Sequence, residues 1–112
     1  MWVFTVDGFY SAVENKDDPS LLTVRTRTRQ DAANLQGALA RIRCHVEVVA
    51  TPLADYGWRL FVPRDKWATY LHNVVEAIDY TNFKDEVAKV QGQKRADVYH
   101  DVWATMWDLQ RG

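Results

Sequence analysis

The chain has 112 residues, a formal net charge of -1, 47% hydrophobic and 26% charged side chains, and one cysteine. That length suits a single domain burying roughly two-thirds of its unfolded surface, and the composition excludes disordered, collagen-like and membrane-embedded classes. A lone Cys44 excludes an internal disulfide and a cysteine-based zinc site. With no basic leader and no run of eighteen apolar residues, the expected setting is cytoplasmic. The near-neutral charge argues against non-specific nucleic-acid or membrane binding as the main activity, although a local basic face can coexist with it.

Trp2 to Val6 and Phe9 to Glu14 are β-rich runs separated by Asp7-Gly8, a dipeptide suited to a hairpin turn whose two central residues need positive φ. That turn requirement accounts for the neighbourhood of Ser11, which has no Gly-x-Ser-x-Gly elbow around it. Asn15 to Ser20 is a proline-containing surface loop. Leu21 to Arg29, LLTVRTRTR, then alternates: Leu22, Val24, Thr26 and Thr28 on one side, and Arg25, Arg27 and Arg29 on the other. One side can be buried and the other wet.

Thr28 with Asp31 three residues on resembles a capping box, and Leu35, Leu39 and Ile42 follow at helical spacing, which predicts a helix from about Arg29 to Arg43. Cys44 to Thr51 reads as a strand ended by Pro52, with Tyr56 to Val62 as its return. Pro63 opens a second helix whose inward stripe is Trp67, Leu71, Val74, Val75 and Ile78. A short helix is expected from about Asn82, a break at Gln91-Gly92-Gln93, and a last helix from about Lys94 to Gln110. The order β-β-β-α-β-β-α followed by one or two more helices predicts an α+β two-layer sandwich. Its sheet is five-stranded and mainly antiparallel with helices on one face, ferredoxin-like or related. The sheet-helix body spans about 1–79 and a C-terminal helical segment about 80–112, within one domain.

Arg25, Arg27 and Arg29, joined by Arg59 on the strand Tyr56 to Val62, form the first candidate site. Guanidinium forks bind phosphate and carboxylate bidentately, so an open sheet face carrying them suits a nucleotide, a nucleic acid or an acidic protein. The competing reading is a solvated outer face, since the interleaved Thr residues point away and offer no stacking platform. The loop Tyr80, Asn82, Phe83 and Lys84 is the second candidate. It either holds a ligand between rings and polar groups, or caps a helix with Thr81 or Asn82 while the aromatics plug the core.

Cys44 and His45 are adjacent, point to opposite faces of a strand, and read as a buried inert thiol and a surface imidazole. His72 with Glu76, and His100 with Asp97, fit solvated helix faces better than metal ligands. No phosphate loop, dinucleotide fingerprint, zinc pattern or triad spacing occurs, and no cofactor is implied. The last helix is over-apolar. Val98, Leu109, Val102, Met106, Tyr99, Trp103, Ala96 and Trp107 cover about half its circumference, where a surface helix needs an apolar stripe of about 100°. Either the 80–90 segment covers it or a second copy does, which makes Tyr99, Trp103, Met106 and Trp107 candidate interface residues of a homodimer.

The stretches WVFTVDGFYSAV, LLTVRTRTRQD, TPLADYGWR, IDYTNFKDEV and YHDVWATMWDLQ resemble a family of small uncharacterised proteins of actinobacteria and their phages. The resemblance covers nearly the whole chain and brings no catalytic residues. It implies a phage-encoded or phage-related accessory protein, a class that includes proteins that block a host protein or capture a small signalling molecule.

Three readings therefore stand. The leading one is a non-enzymatic binding or regulatory protein, dimeric, engaging an anionic ligand or a host protein through the arginine face. The second is a metal-independent hydrolase or nuclease in which His100, Tyr99, Asp7 and Lys84 converge. The third is an interaction module acting through the Trp-rich last helix.

Overall fold

A computed structural model describes residues 1–112, and the chain divides into two compact units, Met1–Ile78 and Asp79–Gly112. In the first unit, strands β1 (Trp2–Thr5), β2 (Gly8–Glu14), β3 (Leu21–Thr26), β4 (Val49–Ala50) and β5 (Trp58–Pro63) form one sheet in the order β1-β2-β3-β5-β4. Every pairing is antiparallel. Helices α1 (Arg29–Arg41) and α2 (Arg64–Glu76) make the second layer. The expected two-layer α+β sandwich is what forms, although the likeness to a ferredoxin-like fold stops at the layers.

Alternation along the strands decides which face the helices take. Tyr10, Ala12, Val24, Leu60 and Val62 point to one side and enclose a core with Ala32, Leu35 and Leu39 of α1 and Trp67 and Tyr70 of α2. Tyr10 packs edge-on against both Trp67 and Tyr70, with centroids 6.2 and 6.1 Å away. Val75 and Ile78, expected in the inward stripe of α2, are instead 62% and 51% exposed. Tyr70 takes that role because it is one turn from Trp67 and Val74 on the buried face.

The hairpin β1–β2 forms, but one residue earlier than the dipeptide Asp7-Gly8 suggests. Thr5 pairs with Gly8, so Val6 and Asp7 are the loop, and among non-glycine and glycine residues only Arg43 and Gly92 have positive φ. Gly8 is needed for space rather than for dihedral freedom: a Cβ there would lie 2.5 Å from the Asp31 Cγ. Asp31 is 2% exposed in the first turn of α1, and its Oδ2 accepts the Phe9 N–H at 3.1 Å. Thr28 accepts the Asp31 N–H at 3.1 Å and caps α1, a contact worth about 1 kcal/mol. The cap stops β3 at Thr26, which places Arg29 in the first turn of α1 and off the sheet.

The β1–β2 loop is also tied to α2. Tyr70 Oη donates to Asp7 Oδ2 at 2.8 Å and lies 3.1 Å from Thr5 Oγ1, while Tyr10 Oη donates to the Asp31 carbonyl at 2.8 Å. Burial raises both phenols above their ordinary value, assisted for Tyr10 by the facing Tyr70 and Asp31 and for Tyr70 by Asp7.

The strand expected over Cys44–Thr51 shrinks to Val49–Ala50. Residues before Val49 are claimed by α1 instead: the Cys44 N–H donates to the Leu39 carbonyl at 2.9 Å, and Gln36 Nε2 donates to the Val46 carbonyl at 2.9 Å. Cys44 is a buried free thiol and His45 is exposed.

The second unit is a helical hairpin, α3 (Phe83–Gln91) and α4 (Gln93–Arg111), joined through Gly92 at φ 98°. Asn82 caps α3 by accepting the Asp85 N–H at 2.9 Å. Val87, Ala96 and Tyr99 are its buried apolar residues. No helix is long and apolar enough to cross a membrane.

Candidate functional site

The face of the sheet opposite α1 and α2 carries the odd-numbered residues of β2, β3 and β5 and the even-numbered ones of β1. One register row crosses all five strands: Trp2 opposite Ser11, Ser11 opposite Arg25, Arg25 opposite Arg59, and Arg59 opposite Val49. The adjoining rows bring Phe4 beside Phe9, and Val13 beside Thr23 and Phe61. Large apolar groups lie open here, with Trp2 71% and Phe61 40% exposed. Phe4 and Phe9 stack at 4.6 Å, and Trp2 meets Phe9 edge-on at 5.9 Å.

Reading β3 by itself finds only threonines between its arginines. Cross-strand pairing overturns that, because the aromatic platforms come from β1, β2 and β5. That Trp2 and Phe61 share a face with Arg25 follows from the pairing register, which no single strand reveals. A shallow depression of about 390 Å³ lies between Val13, Thr23, Arg59 and Phe61 and the loop residues Glu14, Asn15, Lys16 and Asp17, so its rim carries acids as well as cations.

The guanidinium groups are held in place by the protein itself. Arg25 Nη2 donates to Ser11 Oγ at 2.7 Å, which leaves Ser11 buried beneath it rather than presented as a nucleophile. Arg25 and Arg27 both lie over the ring of Tyr56, 4.7 and 4.1 Å from its centroid. Arg27 Nη1 also donates to the Asp55 carbonyl at 2.7 Å. Two cations on one ring anchor the loop before β5 to the end of β3, each contact being worth about 0.5–2 kcal/mol. Tyr56 is 4% exposed, and sequence reasoning assigned it no role. Arg25 Nε is buried with no hydrogen-bond partner, so that edge of the guanidinium is paid in desolvation.

Arg59 differs from the other two. Its Nη2 lies 3.6 Å from Asp55 Oδ1, and the side chains are 25% and 69% exposed. An exposed pair at that distance is weak, about 0–1 kcal/mol, and an incoming anion can replace the carboxylate. Of the four arginines expected to act together, Arg25, Arg27 and Arg59 converge around Asp55 and Tyr56, and Arg29 belongs to α1.

In the second unit, Asn82 is the helix cap, Tyr80 and Phe83 lie 6.1 Å apart, and Phe83 stacks on Tyr99 at 6.0 Å with planes 8° apart. Burial, with Glu86 and Asp79 nearby, raises the Tyr80 phenol. Lys84 Nζ sits 3.0 Å from His100 Nδ1 and 4.5 Å from the Trp103 ring centroid, and His100 stacks on Trp103 at 5.4 Å. Lys84 and His100 therefore meet, as a hydrolase reading needs, while the Asp7 carboxylate is engaged by Tyr70 in the first unit. Tyr99, expected on an outer interface, is 7% exposed because Phe83 covers it; Trp103, Met106 and Trp107 remain 52%, 55% and 44% exposed. No three His, Cys, Asp or Glu side chains converge as a metal site requires.

Comparison with family models, curated proteins and solved structures yields no match, so the site rests on its own geometry.

Proposed function

We propose that the chain is a small, cytoplasmic, non-enzymatic binding protein whose open sheet face takes an anionic ligand bearing flat rings, a nucleotide or single-stranded nucleic acid. The observation that carries this reading is the register row Trp2–Ser11–Arg25–Arg59–Val49, with Phe61 one row away. Aromatic faces stack bases irrespective of sequence, and guanidinium groups between them meet phosphates, so the two side-chain types serve one ligand. Asp55 acts as a resident stand-in that keeps Arg59 oriented when nothing is bound. The exposed apolar residues of α4 favour a second reading, an interaction module for another protein. A phage-related accessory role, as the family resemblance implies, fits either.

The test is a titration at low salt of the protein into a fluorescent single-stranded oligonucleotide and, separately, into a fluorescently labelled nucleoside triphosphate, following the anisotropy of the label. Trp2→Ala and Arg59→Ala should each weaken binding about tenfold, on the scale of one lost stack or one charge-assisted contact. Absence of binding to both probes, or wild-type affinity in both variants, overturns the reading.

A further inference from the structure

We propose that α4 is a dimerisation helix, pairing antiparallel with α4 of a second copy of this chain along the line Val98, Val102, Met106 and Leu109. Those four residues recur at steps of four, four and three, the spacing of a helix-packing seam. They are 52%, 38%, 55% and 76% exposed. They lie beside the flank on which Tyr99 is stacked by Phe83.

Length explains why the seam is bare. A nine-residue α3 reaches about 14 Å, whereas a nineteen-residue α4 runs about 28 Å. Every residue from His100 to Gly112 is exposed. Helices polar all round stand alone in water; one with Val102, Met106 and Leu109 on its bare part does not.

Charge selects the occupant and its direction. The first turn of α4 holds Lys94 and Arg95 and no acid, two cations set against the positive end of their own helix dipole. Asp108, four turns later on the same flank as Lys94, sits near the negative end, beside Arg111 in an exposed pair. Both placements are unfavourable in an isolated helix. An antiparallel second copy corrects both at once, bringing its C-terminal turn and Asp108 to Lys94. With Val102 beside its own copy on the two-fold axis, Val98 faces the second copy's Met106. A parallel pair would instead put this flank on opposite sides of the pair, with Lys94 level with Lys94 and Asp108 level with Asp108, so neither charge would meet its opposite. An isologous contact needs one surface complementary to itself, and this flank is so only in the antiparallel sense.

Sedimentation equilibrium of the full chain tests the proposal. The wild type should approach twice its 13.0 kDa mass as concentration rises. Val102→Asp should sediment as a monomer with an unchanged circular dichroism spectrum, since the residue touches no core. Lys94→Glu and Asp108→Lys should each weaken association about tenfold, and the double variant should restore it. Each single change improves its own helix's dipole, so a merely structural role would move stability in the opposite direction. A monomeric wild type, persistent association of Val102→Asp, or failure of the double variant to recover would each overturn the arrangement.

Discussion

Gly8 and Asp31 are in contact across the two layers of the first unit: the Asp31 carboxyl carbon occupies space 2.5 Å from where a Gly8 Cβ would stand, and the carboxylate takes the next backbone N–H, that of Phe9. Here a missing side chain on one element makes room for an acid on another. The hairpin is thereby latched to the first turn of α1.

Substituting Gly8 should consequently cost as much as a core overpacking. Gly8→Ala is expected to lower unfolding free energy by about 1–3 kcal/mol in urea titration. Asp31→Ala should cost a similar amount by orphaning a buried donor. Because the second change removes the atoms that the first strikes, the double variant should lose less than the sum of the two. Strict additivity would show that the contact is not what makes Gly8 necessary.

Tyr10 and Tyr70 predict an alkaline limit to stability. Burial raises both phenols above their ordinary value of about 10, so above that pH the unfolded chain releases protons that the folded chain keeps. The contribution is complete below the unfolded value and drains away as pH rises past it, by about 1.4 kcal/mol per pH unit for each phenol. Absorbance titration should find these two tyrosines ionising together with the unfolding transition, and Tyr70→Phe should make the alkaline loss shallower.

Asp55→Asn should raise affinity for an anionic ligand by about threefold. The amide keeps an oxygen for the Tyr56 N–H, which Asp55 Oδ1 accepts at 3.0 Å, while the charge competing for Arg59 disappears. Thermal unfolding should hardly move, since exposed ion pairs contribute about 0–1 kcal/mol. Unchanged affinity in the same titration would mean that Arg59 meets no ligand.

Asn82→Ala should fray the start of α3. Losing the acceptor for the Asp85 N–H is expected to cost about 1 kcal/mol. Hydrogen exchange should register it as faster exchange in residues 83–87, with amides of β2 and β3 unaffected.

Much of this architecture was legible because alternation and capping are local. The inward set Leu22, Val24 and Thr26, the Thr28 cap and the start of α3 at Asn82 all follow from side chains within a few residues. What misled was equally physical. LLTVRTRTR keeps alternating after the strand has ended, because a threonine serves a strand face and a helix cap with the same hydroxyl, and Arg29 was carried along with it. Gly8 was read through its dihedral freedom when its lack of volume is the reason for it. The run after Cys44 has β-branched residues, yet Leu39 and Gln36 of α1 take its backbone groups before a neighbouring strand can.

The candidate face divides in the same way. Its arginines were visible within one strand. Its rings were not, since Trp2, Phe9 and Phe61 join them only through pairing register, a non-local property. Tyr56 lay beyond reach for another reason: nothing in the stretch LADYG distinguishes a tyrosine facing solvent from one clasped by two guanidinium groups. The wide apolar arc of the last helix was legible because it is a property of a single segment, and Val98, Val102, Trp103, Met106, Trp107 and Leu109 are exposed on it.

The two-residue length of β4 has a bearing on how the molecule keeps to itself. A margin that offers so few free amides and carbonyls is a poor template for foreign chains, and past Ala50 the backbone curls back through the Thr51 and Tyr56–Gly57 contacts. Unwanted cross-β growth must therefore start from the opposite border at β1, where Trp2 already stands uncovered, and heat-induced clumping should be gentler when that indole is exchanged for lysine.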